Sequence, residues 1–378
     1  MIVADENIPG LEEYFGGFGT LRRVAGRHLS REQLLDADVL LVRSVTLVNQ
    51  ALLEGTPVKF VGTATIGTDH LDTHFLESQG IFWSNAPGCN ANSVVDYVFS
   101  VLSRFPDKLK LLLENKATLG IVGVGNVGSR LLARLQALSV HCFAYDPLID
   151  PASCSALTSF EKLMTSDVIC FHTPLTQSGS YPTFHMLTKQ QLKRLRPNTL
   201  LINAGRGGVF DNQALKQFMQ TGSSQERERV KVALDVWEGE PNIDCELMRC
   251  VDVATPHIAG YSLDGKMAGT EQIFEACSEY FQWSKTHNEE SKCHFELTIT
   301  KTRSLIDGLI EAVQTVYNVI EDDRLMRRDL LSGDSGLKFD QLRKNYRERR
   351  EFSCYQIVNS QDCSPELIDA LRAVGFAC

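Results

Sequence analysis

Residues 120–128 read GIVGVGNVG and carry glycines at positions 123, 125 and 128. A GxGxxG pattern is weak by itself, but this one follows an apolar strand-like run and precedes a helical stretch at 129–138. In that setting the first glycine permits a tight turn, the second lets backbone approach a pyrophosphate, and the third packs helix on strand. The stretch therefore predicts a dinucleotide-binding domain, with the phosphates at the helix N-terminus.

Asp146 ends the next strand-like run, where such domains carry a ribose-binding carboxylate. An acid there favours NAD, because it repels the 2′-phosphate of NADP. The backbone N–H groups at the start of the helix are offered to the pyrophosphate. The predicted contacts of this segment are Gly123, Gly125, Asn126, Val127, Gly128 and Asp146. The alternative is a glycine-rich turn followed by an Asp-Pro turn.

Apolar runs alternate with helical stretches along most of the chain, as in doubly wound parallel sheets. Six runs predict the strands of the dinucleotide-binding sheet, at 118–122, 140–145, 168–172, 199–203, 230–234 and 252–254. Runs at 2–4, 38–42, 59–62 and 81–85 predict strands of an earlier α/β block. Helices are predicted at 71–79, from 90 onward, and at 129–138, 268–285 and 304–321. The polar run 286–292 reads as a linker to a short α/β-like tail.

The composition is that of an ordinary globular protein, with 378 residues, 43% hydrophobic and 22% charged. A net charge of −9 gives no reason to expect nucleic acid or an acidic membrane as a partner. We expect a cytoplasmic protein, because no apolar run is long enough to span a bilayer and no signal-peptide layout is present. Eleven cysteines without a CxxC pair predict free thiols and no metal site.

Three further segments follow predicted strands, at the sheet edge where ligands bind. They are INAGRGG (202–208), LDVWEGEP (234–241) and PHIAG (256–260). With GIVGVGNVG and FHTPL (171–175), their order and spacing resemble the D-isomer-specific 2-hydroxyacid dehydrogenases. The resemblance implies an NAD-dependent oxidoreductase whose catalytic residues are Arg206, Glu240 and His257.

The residue types suit that chemistry. Oxidising a 2-hydroxy acid moves a hydride to nicotinamide and a hydroxyl proton to a base, and the neutral imidazole of His257 can take that proton. Glu240 would hold the imidazole tautomer, and the Arg206 fork matches a substrate carboxylate. Glu238 competes with Glu240, but the spacing from Asp235 in the family selects Glu240, and Glu238 reads as a solvated rim charge.

The resemblance also distributes cofactor contacts over later segments. It places Thr173 in a loop that lines the adenosine side of the cofactor and assigns Asp235 to a contact with the nicotinamide carboxamide. It assigns Gly260 to a position where the backbone closely approaches the cofactor. His172, beside Thr173, reads as a strand-end packing residue.

Segments outside the dinucleotide domain are similar to one branch of the family, which oxidises 4-phospho-D-erythronate to (R)-3-hydroxy-2-oxo-4-phosphobutanoate in pyridoxine 5′-phosphate biosynthesis. They are VADENIP (3–9), LVRSVT (41–46), VGTATIGTDH (61–70), APGCNA (86–91), HIAGYSLDGK (257–266) and LRKNYRERREF (342–352). By resemblance Ser44, Thr65 and Tyr261 contact substrate. Arg43 is a further candidate partner for the phosphate, with a salt bridge as the alternative.

The resemblance implies two doubly wound domains with parallel sheets and a small α+β C-terminal domain. We expect a flavodoxin-like substrate domain at 1–95, completed by 258–285, a Rossmann NAD-binding domain at 96–257, and a dimerisation domain at 286–378. A homodimer follows from that assignment. The apolar stripe of 305–313 fits a helix packed on a partner or on its own domain.

Two other functions stay open at the level of sequence. One is another D-2-hydroxyacid dehydrogenase, such as one acting on 3-phosphoglycerate, although the C-terminal tail argues against it. The other is a binding protein that senses NAD and has lost turnover, which the presence of Arg206, Glu240 and His257 disfavours.

Overall fold

The computed structural model describes residues 1–221, 230–284, 295–333 and 335–378. Its contacts divide the chain into two units, residues 1–91 with 261–292 and residues 92–260 with 293–378. The predicted linker at 286–292 and the predicted domain boundary beside it lie outside the described residues. The predicted domain boundaries therefore stay a prediction.

The first unit is built on a five-stranded parallel sheet in the order β2-β1-β3-β4-β5. Its strands are Ile2–Asp5 (β1), Leu21–Val24 (β2), Val39–Val42 (β3), Phe60–Thr63 (β4) and Phe82–Ser84 (β5). Four of them occupy the predicted runs. The sequence pattern misses β2, because two of its four residues are arginines. β2 is the edge strand beside β1, where long charged side chains reach solvent.

Helices cover both faces of this sheet, since alternate residues of β1 and β3 enter two separate apolar clusters. The helices are Leu11–Phe15, Gln50–Leu53, Thr73–Ser78 and Leu263–Phe281, with 3-10 turns at Gly26–His28 and Arg31–Leu34. The last helix starts before its predicted bound of 268, because the Ser262 hydroxyl caps it by accepting from Gly265 N at 2.8 Å. It ends at Phe281, and the following residue, Gln282, adopts a left-handed φ of 55°.

The second unit contains a six-stranded parallel sheet in the order β11-β10-β9-β8-β6-β7. Its strands are Leu119–Val122 (β6), Cys142–Tyr145 (β7), Val168–Phe171 (β8), Thr199–Asn203 (β9), Val230–Leu234 (β10) and Val253–Ala254 (β11). All six lie within the predicted runs. The winding reverses at β6, which leaves a crevice beyond the carboxyl ends of β6 and β8. The predicted α/β fold class is confirmed.

Helices and turns of residues 91–260 connect these strands. They are Ala91–Arg104, Pro106–Leu113, Asn126–Ala137, Phe160–Leu163, Lys189–Arg194, Asn212–Thr221 and Cys245–Cys250, with 3-10 turns at Pro151–Ser153 and Gly207–Val209. The core between helices and sheet includes Phe171 and Phe210, whose rings meet edge to face at 4.8 Å, and the nearly buried Trp237. This core fixes the loops at the carboxyl edge of the sheet.

The C-terminal segment adds four helices and a two-stranded parallel sheet to the second unit. These elements are Phe295–Leu297 (β12), Leu305–Val316, Val319–Leu330, Ser335–Lys344, Tyr355–Ile357 (β13) and Pro365–Val374, with 3-10 turns at Phe352–Cys354 and Ser360–Asp362. The prediction of one helix at 304–321 is wrong, because the chain breaks at Tyr317. Ser100 Oγ donates to Tyr317 O at 2.7 Å and accepts from Val319 N at 3.0 Å, which satisfies the two helix ends.

In the described part of the chain, no helix is long and apolar enough to cross a membrane. The cysteines described there are all free thiols, as the sequence predicts, while Cys293 lies outside the described residues. Burial raises the pKa of Cys142 and of Cys277 to about 12, so these thiols stay protonated at neutral pH.

Candidate active site

His257 and Glu240 form a hydrogen-bonded pair in the second unit. His257 lies in the loop after β11 and Glu240 in the loop after β10, and His257 Nδ1 is 2.7 Å from Glu240 Oε2. The other carboxylate oxygen accepts from Trp237 N at 2.8 Å. Burial opposes ionisation of Glu240, but the charge and hydrogen bond of His257 outweigh it, so the pKa of Glu240 is lowered. An ionised Glu240 thus orients the imidazole.

Asp235 holds the loop that carries His257. This carboxylate is 1% exposed and accepts from Thr255 Oγ1 at 2.7 Å, Ile258 N at 2.8 Å and Ala259 N at 2.9 Å. His257 adopts a φ of 56°, a left-handed conformation that costs a residue with a side chain about 1–3 kcal/mol. Asp235 therefore stabilises a strained loop, and its predicted contact with the nicotinamide carboxamide stays a prediction.

Arg206 follows β9 in extended backbone, between that strand and the turn Gly207–Val209. Asn203 fixes this segment, because its side chain accepts from Gly205 N at 3.1 Å and donates to Arg206 O at 3.0 Å. Gly207 then lies directly on the next loop, since a Cβ at this position would be 2.0 Å from Trp237 C. The segment of Arg206 and the loop of Glu240 are thereby packed against each other.

Glu238 is not the solvated rim charge that the sequence indicates. Its Oε1 lies 2.6 Å from His185 Nε2, and its Oε2 accepts from Asn212 N at 3.0 Å. Asn212 returns a bond by accepting from Glu238 N at 3.3 Å, and its amide donates to Phe210 O at 2.9 Å. Glu238 thus links three segments around Arg206 and Glu240, which a local pattern cannot reveal because the partners are far apart in sequence.

One group of side chains in the described part of the chain has the composition of a metal site. His185, Asp211 and Glu238 are half-buried, and their possible ligand atoms lie within 4.8 Å of one another. Two of these groups already satisfy each other, because His185 and Glu238 are hydrogen-bonded. Asp211 Oδ1 accepts from Ala214 N at 2.8 Å at the start of a helix. These bonds account for the cluster as a structural network.

The glycine loop has the shape that a dinucleotide requires. Gly123 adopts a φ of 88°, and a Cβ there would lie 3.0 Å from Thr173 N, so a side chain would block the crevice beyond β6 and β8. A Cβ on Gly128 would be 1.9 Å from Gly123 O, whereas Gly125 faces open space. Asp146 Oδ2 accepts from Val124 N at 2.9 Å, which places this carboxylate against the loop.

Several buried polar atoms at the same edge lack a hydrogen-bond partner within the described part of the chain. Thr173 Oγ1 and both ring nitrogens of His172 are buried without a hydrogen bond among the residues described. Burial lowers the pKa of His172 to about 4, so the ring is neutral. Buried polar atoms normally find partners, and a ligand in the crevice would supply them. The residues present therefore fit a bound dinucleotide, and the packing role expected for His172 stays a prediction.

The predicted substrate contacts Ser44, Thr65 and Tyr261 all lie in the first unit. Thr65 belongs to a chain of hydroxyls, because its Oγ1 is 2.8 Å from Thr63 Oγ1, which is 3.0 Å from His70 Nε2. Burial lowers the pKa of His70 to about 4, so a neutral ring orients these hydroxyls. The sequence alone does not indicate a role for His70, because its contact with Thr63 depends on the conformation of the loop between residues 63 and 70.

Two cations flank the ring of Tyr261. Arg43 Cζ lies 5.8 Å and Lys266 Nζ 4.9 Å from the ring centroid. Both cations therefore lie beside the same predicted substrate contact. Arg43 was a candidate from the sequence, whereas Lys266 is recognised only in the structure.

Comparison with protein families gives two matches. Residues 103–259 match the model described as D-isomer specific 2-hydroxyacid dehydrogenase, NAD binding domain. Residues 295–375 match a model described only as a domain of unknown function.

Curated relatives match this chain nearly end to end. The chain is 44% identical to the erythronate-4-phosphate dehydrogenase of Cellvibrio japonicus, over 100% of this chain and 99% of that protein. It is 46% identical to the enzyme of the same name from Yersinia pestis, over 98% of each chain.

Solved structures share the fold at lower identity. A D-lactate dehydrogenase from Aquifex aeolicus, complexed with NAD and lactic acid, aligns with a TM-score of 0.61 and 23% identity over 75% of this chain and 96% of that one. An NAD-bound 3-phosphoglycerate dehydrogenase from Entamoeba histolytica aligns with a TM-score of 0.59 and 22% identity over 77% and 98%.

Proposed function

Because this chain belongs to the erythronate-4-phosphate dehydrogenases, within the D-isomer-specific 2-hydroxyacid dehydrogenase family, we propose that it oxidises 4-phospho-D-erythronate to (R)-3-hydroxy-2-oxo-4-phosphobutanoate. NAD is the cofactor, and when bound it accepts the hydride from the substrate. The observation that carries the proposal is the His257–Glu240 pair, with 2.7 Å between Nδ1 and Oε2. Such a pair is the proton-transfer device that a 2-hydroxyacid oxidation requires.

His257 is the proposed proton acceptor. An ionised Glu240 beside Nδ1 favours the tautomer in which Nδ1 carries the hydrogen, and this leaves the lone pair of Nε2 to accept the substrate hydroxyl proton. The imidazolium that forms is stabilised by the same carboxylate. In the reverse direction His257 returns the proton to the oxo group.

Arg206 is the proposed partner of the substrate carboxylate. Its guanidinium presents two parallel N–H donors, a geometry that a carboxylate matches. The extended backbone at 206 and the packing of Gly207 on the neighbouring loop limit where this side chain reaches. Arg206 also polarises the reacting oxygen, because developing negative charge there is stabilised by a nearby cation.

We propose that the substrate phosphate is recognised in the first unit by Arg43 and Lys266, which flank Tyr261. The hydroxyls of Thr65 and Ser44 offer donors for the remaining oxygens, and Thr63 orients the Thr65 hydroxyl. A phosphate carries close to two negative charges at neutral pH, so two nearby cations favour the phosphorylated acid over its unphosphorylated analogue.

The enzyme is proposed to act in the cytoplasm as a homodimer joined through its C-terminal segment, in the synthesis of pyridoxine 5′-phosphate. Within the predicted stripe of 305–313, Leu309 and Val313 are buried within their own chain, which supports the alternative that this helix packs on its own domain. A dehydrogenase acting on 3-phosphoglycerate is the second candidate, because it also oxidises a phosphorylated 2-hydroxy acid. A binding protein without turnover is disfavoured by the intact His257–Glu240 pair.

A substrate panel tests the proposal. Purified protein with NAD and a 2-oxo acid as acceptor, which reoxidises NADH, is assayed with 4-phosphoerythronate, erythronate and 3-phosphoglycerate, following the consumption of each hydroxy acid. We expect kcat/KM to be highest for 4-phosphoerythronate. Equal rates with 4-phosphoerythronate and erythronate would refute the proposed phosphate-binding site. Faster oxidation of 3-phosphoglycerate than of 4-phosphoerythronate would favour the 3-phosphoglycerate dehydrogenase alternative.

The proton acceptor is tested separately by His257→Ala. We expect kcat to fall on the order of 10²–10⁴-fold while NADH still binds, because only proton transfer is lost. Unchanged turnover would refute the assignment of His257.

A further inference from the structure

The buried Arg349 of the C-terminal segment contacts the loop that carries His257. Its side chain is 4% exposed, and Nη2 lies 2.5 Å from Ala259 O and 3.5 Å from Ile258 O. The guanidinium carbon lies 4.0 Å from the ring centroid of Tyr317, which holds it in place. We propose that Arg349 is a positioning residue for His257, so that the domain of unknown function at 295–375 completes the catalytic loop of its own chain.

The loop is held from two sides by opposite charges. Asp235 accepts from the N–H groups of residues 258 and 259, and Arg349 donates to the carbonyl groups of the same two residues. Ile258 and Ala259 are almost fully buried, so water cannot replace either set of bonds. A buried carbonyl without a donor is destabilising. Arg349 therefore fixes the peptides that directly follow His257.

The bonds of Asp235 and Arg349 to residues 258 and 259 matter because His257, directly before them, adopts a φ of 56°. A residue with a side chain keeps that conformation only when its surroundings determine it. Without Arg349, the peptides after His257 lose their donors and the backbone relaxes. The imidazole then shifts relative to Glu240. Misplacement of a catalytic group by about 1 Å costs on the order of 10²-fold in rate.

A second contact from the same segment holds the strand that enters the loop. Asp323 Oδ1 accepts from Ala254 N at 2.7 Å, and Arg327 Nε holds both oxygens of this carboxylate at 2.9 and 3.0 Å. Arg327 also donates to Met248 O at 2.6 Å and to Val251 O at 2.9 Å. The C-terminal segment therefore fixes the chain before and after His257, at 254 and at 258–259.

The test compares Arg349→Met, Arg349→Lys and Arg347→Met in the full-length protein. Met keeps the length of the side chain and removes the donors, whereas Lys keeps the charge. Arg347, two positions away, pairs with Glu321 and Asp322 in the same segment and serves as the matched control. Each variant is assayed for kcat, for the KM of NAD, and for amide hydrogen exchange in 254–260.

We expect Arg349→Met to lower kcat about 10–10²-fold with the KM for NAD changed less than about 2-fold. Amide exchange in 254–260 should accelerate, Arg349→Lys should recover part of both effects, and Arg347→Met should leave both unchanged. If Arg349→Met does not fold by circular dichroism, Arg349→Gln replaces it with the same expectation. The proposal would be overturned if the folded Arg349 variant had the kcat and the amide exchange of the wild type. It would also be overturned if Arg347→Met lost as much kcat as the Arg349 variant.

The inference rests on the proposed role of His257, and the two can fail separately. If His257→Ala keeps turnover, the proposed function fails whatever Arg349 does. If His257→Ala is inactive while Arg349→Met is normal in kcat and exchange, only the positioning role fails.

Discussion

Glu240 decides which nitrogen of His257 carries the hydrogen, and a single substitution tests this. Glu240→Gln keeps the shape but loses the charge that stabilises the imidazolium. We expect kcat to fall on the order of 10²–10³-fold with little change in the KM of NAD. Glu238→Gln is the matched control, because its carboxylate bonds to His185 and Asn212 instead. A larger loss in the control than in Glu240→Gln would assign the acid role to Glu238.

Two buried neutral histidines predict the response of stability to acid. Desolvation lowers the pKa of His70 and of His172 to about 4, whereas in the unfolded chain a histidine titrates near about 6.5. The unfolded chain therefore binds more protons below about 6.5, and stability that is complete above that pH is lost as the pH falls toward 4.

The measurement is the urea midpoint at pH 7.5 and at pH 5. We expect a lower midpoint at pH 5 and a smaller difference between the two pH values in His70→Gln. An unchanged difference in that variant would mean that His70 does not contribute.

At this scale the sequence predicted residue types better than their partners. Arg206, Glu240 and His257 stand in motifs, and the Glu240–His257 bond has the expected form. The partnerships of His70, Lys266 and Arg349 have no local signal, because each depends on segments that meet only after folding. Glu238 was misread for the same reason, since its partners lie at 185 and 212.

The turn after β9 and the loop after β10 behave as one element, because Gly207 lies against the Trp237–Glu238 peptide. A Cβ at 207 would be 2.1 Å from Trp237 O, which requires the backbone of one loop to move. We expect Gly207→Ala to lower kcat at least about 10-fold, because the segment of Arg206 and the loop of Glu240 would be pushed apart.

Gly125→Ala is not a suitable control, since that position belongs to the cofactor loop. Gly333→Ala is better, because its Cβ would meet nothing closer than 3.8 Å. Normal kinetics in Gly207→Ala would show that the two loops move independently.

Strands and helices with a regular hydrophobic period could be predicted from the sequence, but the residues at which they begin and end were harder to predict. All six strands of the second sheet lie within apolar runs, and the central strands β6, β8 and β9 are buried at every residue, as parallel strands covered on both faces are. The edge strand Leu21–Val24 lacks that signature. The helix expected at 304–321 breaks at Tyr317, where Ser100 bonds to both helix ends, and a periodicity argument cannot detect a partner so distant in sequence.

At the scale of the whole molecule, the proposed homodimer predicts a mass of twice the 42.2 kDa chain. The C-terminal segment exposes large apolar side chains that a partner would cover, including Leu331 at 44% and Leu337 at 58%. We expect Leu337→Asp combined with Leu331→Asp to shift the protein to monomer in light scattering after size exclusion. Leu35→Asp, at 57% exposure in the first unit, is the control. A dimer that survives the double substitution would place the interface elsewhere.

The contact between Arg349 and the carbonyl groups of 258–259 also has a consequence for the order in which the protein is made. A ribosome releases His257 long before it has synthesised residue 349. Until then the loop lacks its second set of bonds, although the sheet beneath it is already complete in sequence. We therefore expect nascent or prematurely terminated chains to turn over substrate more slowly than the full-length protein. Full activity would begin only when translation has passed the C-terminal segment.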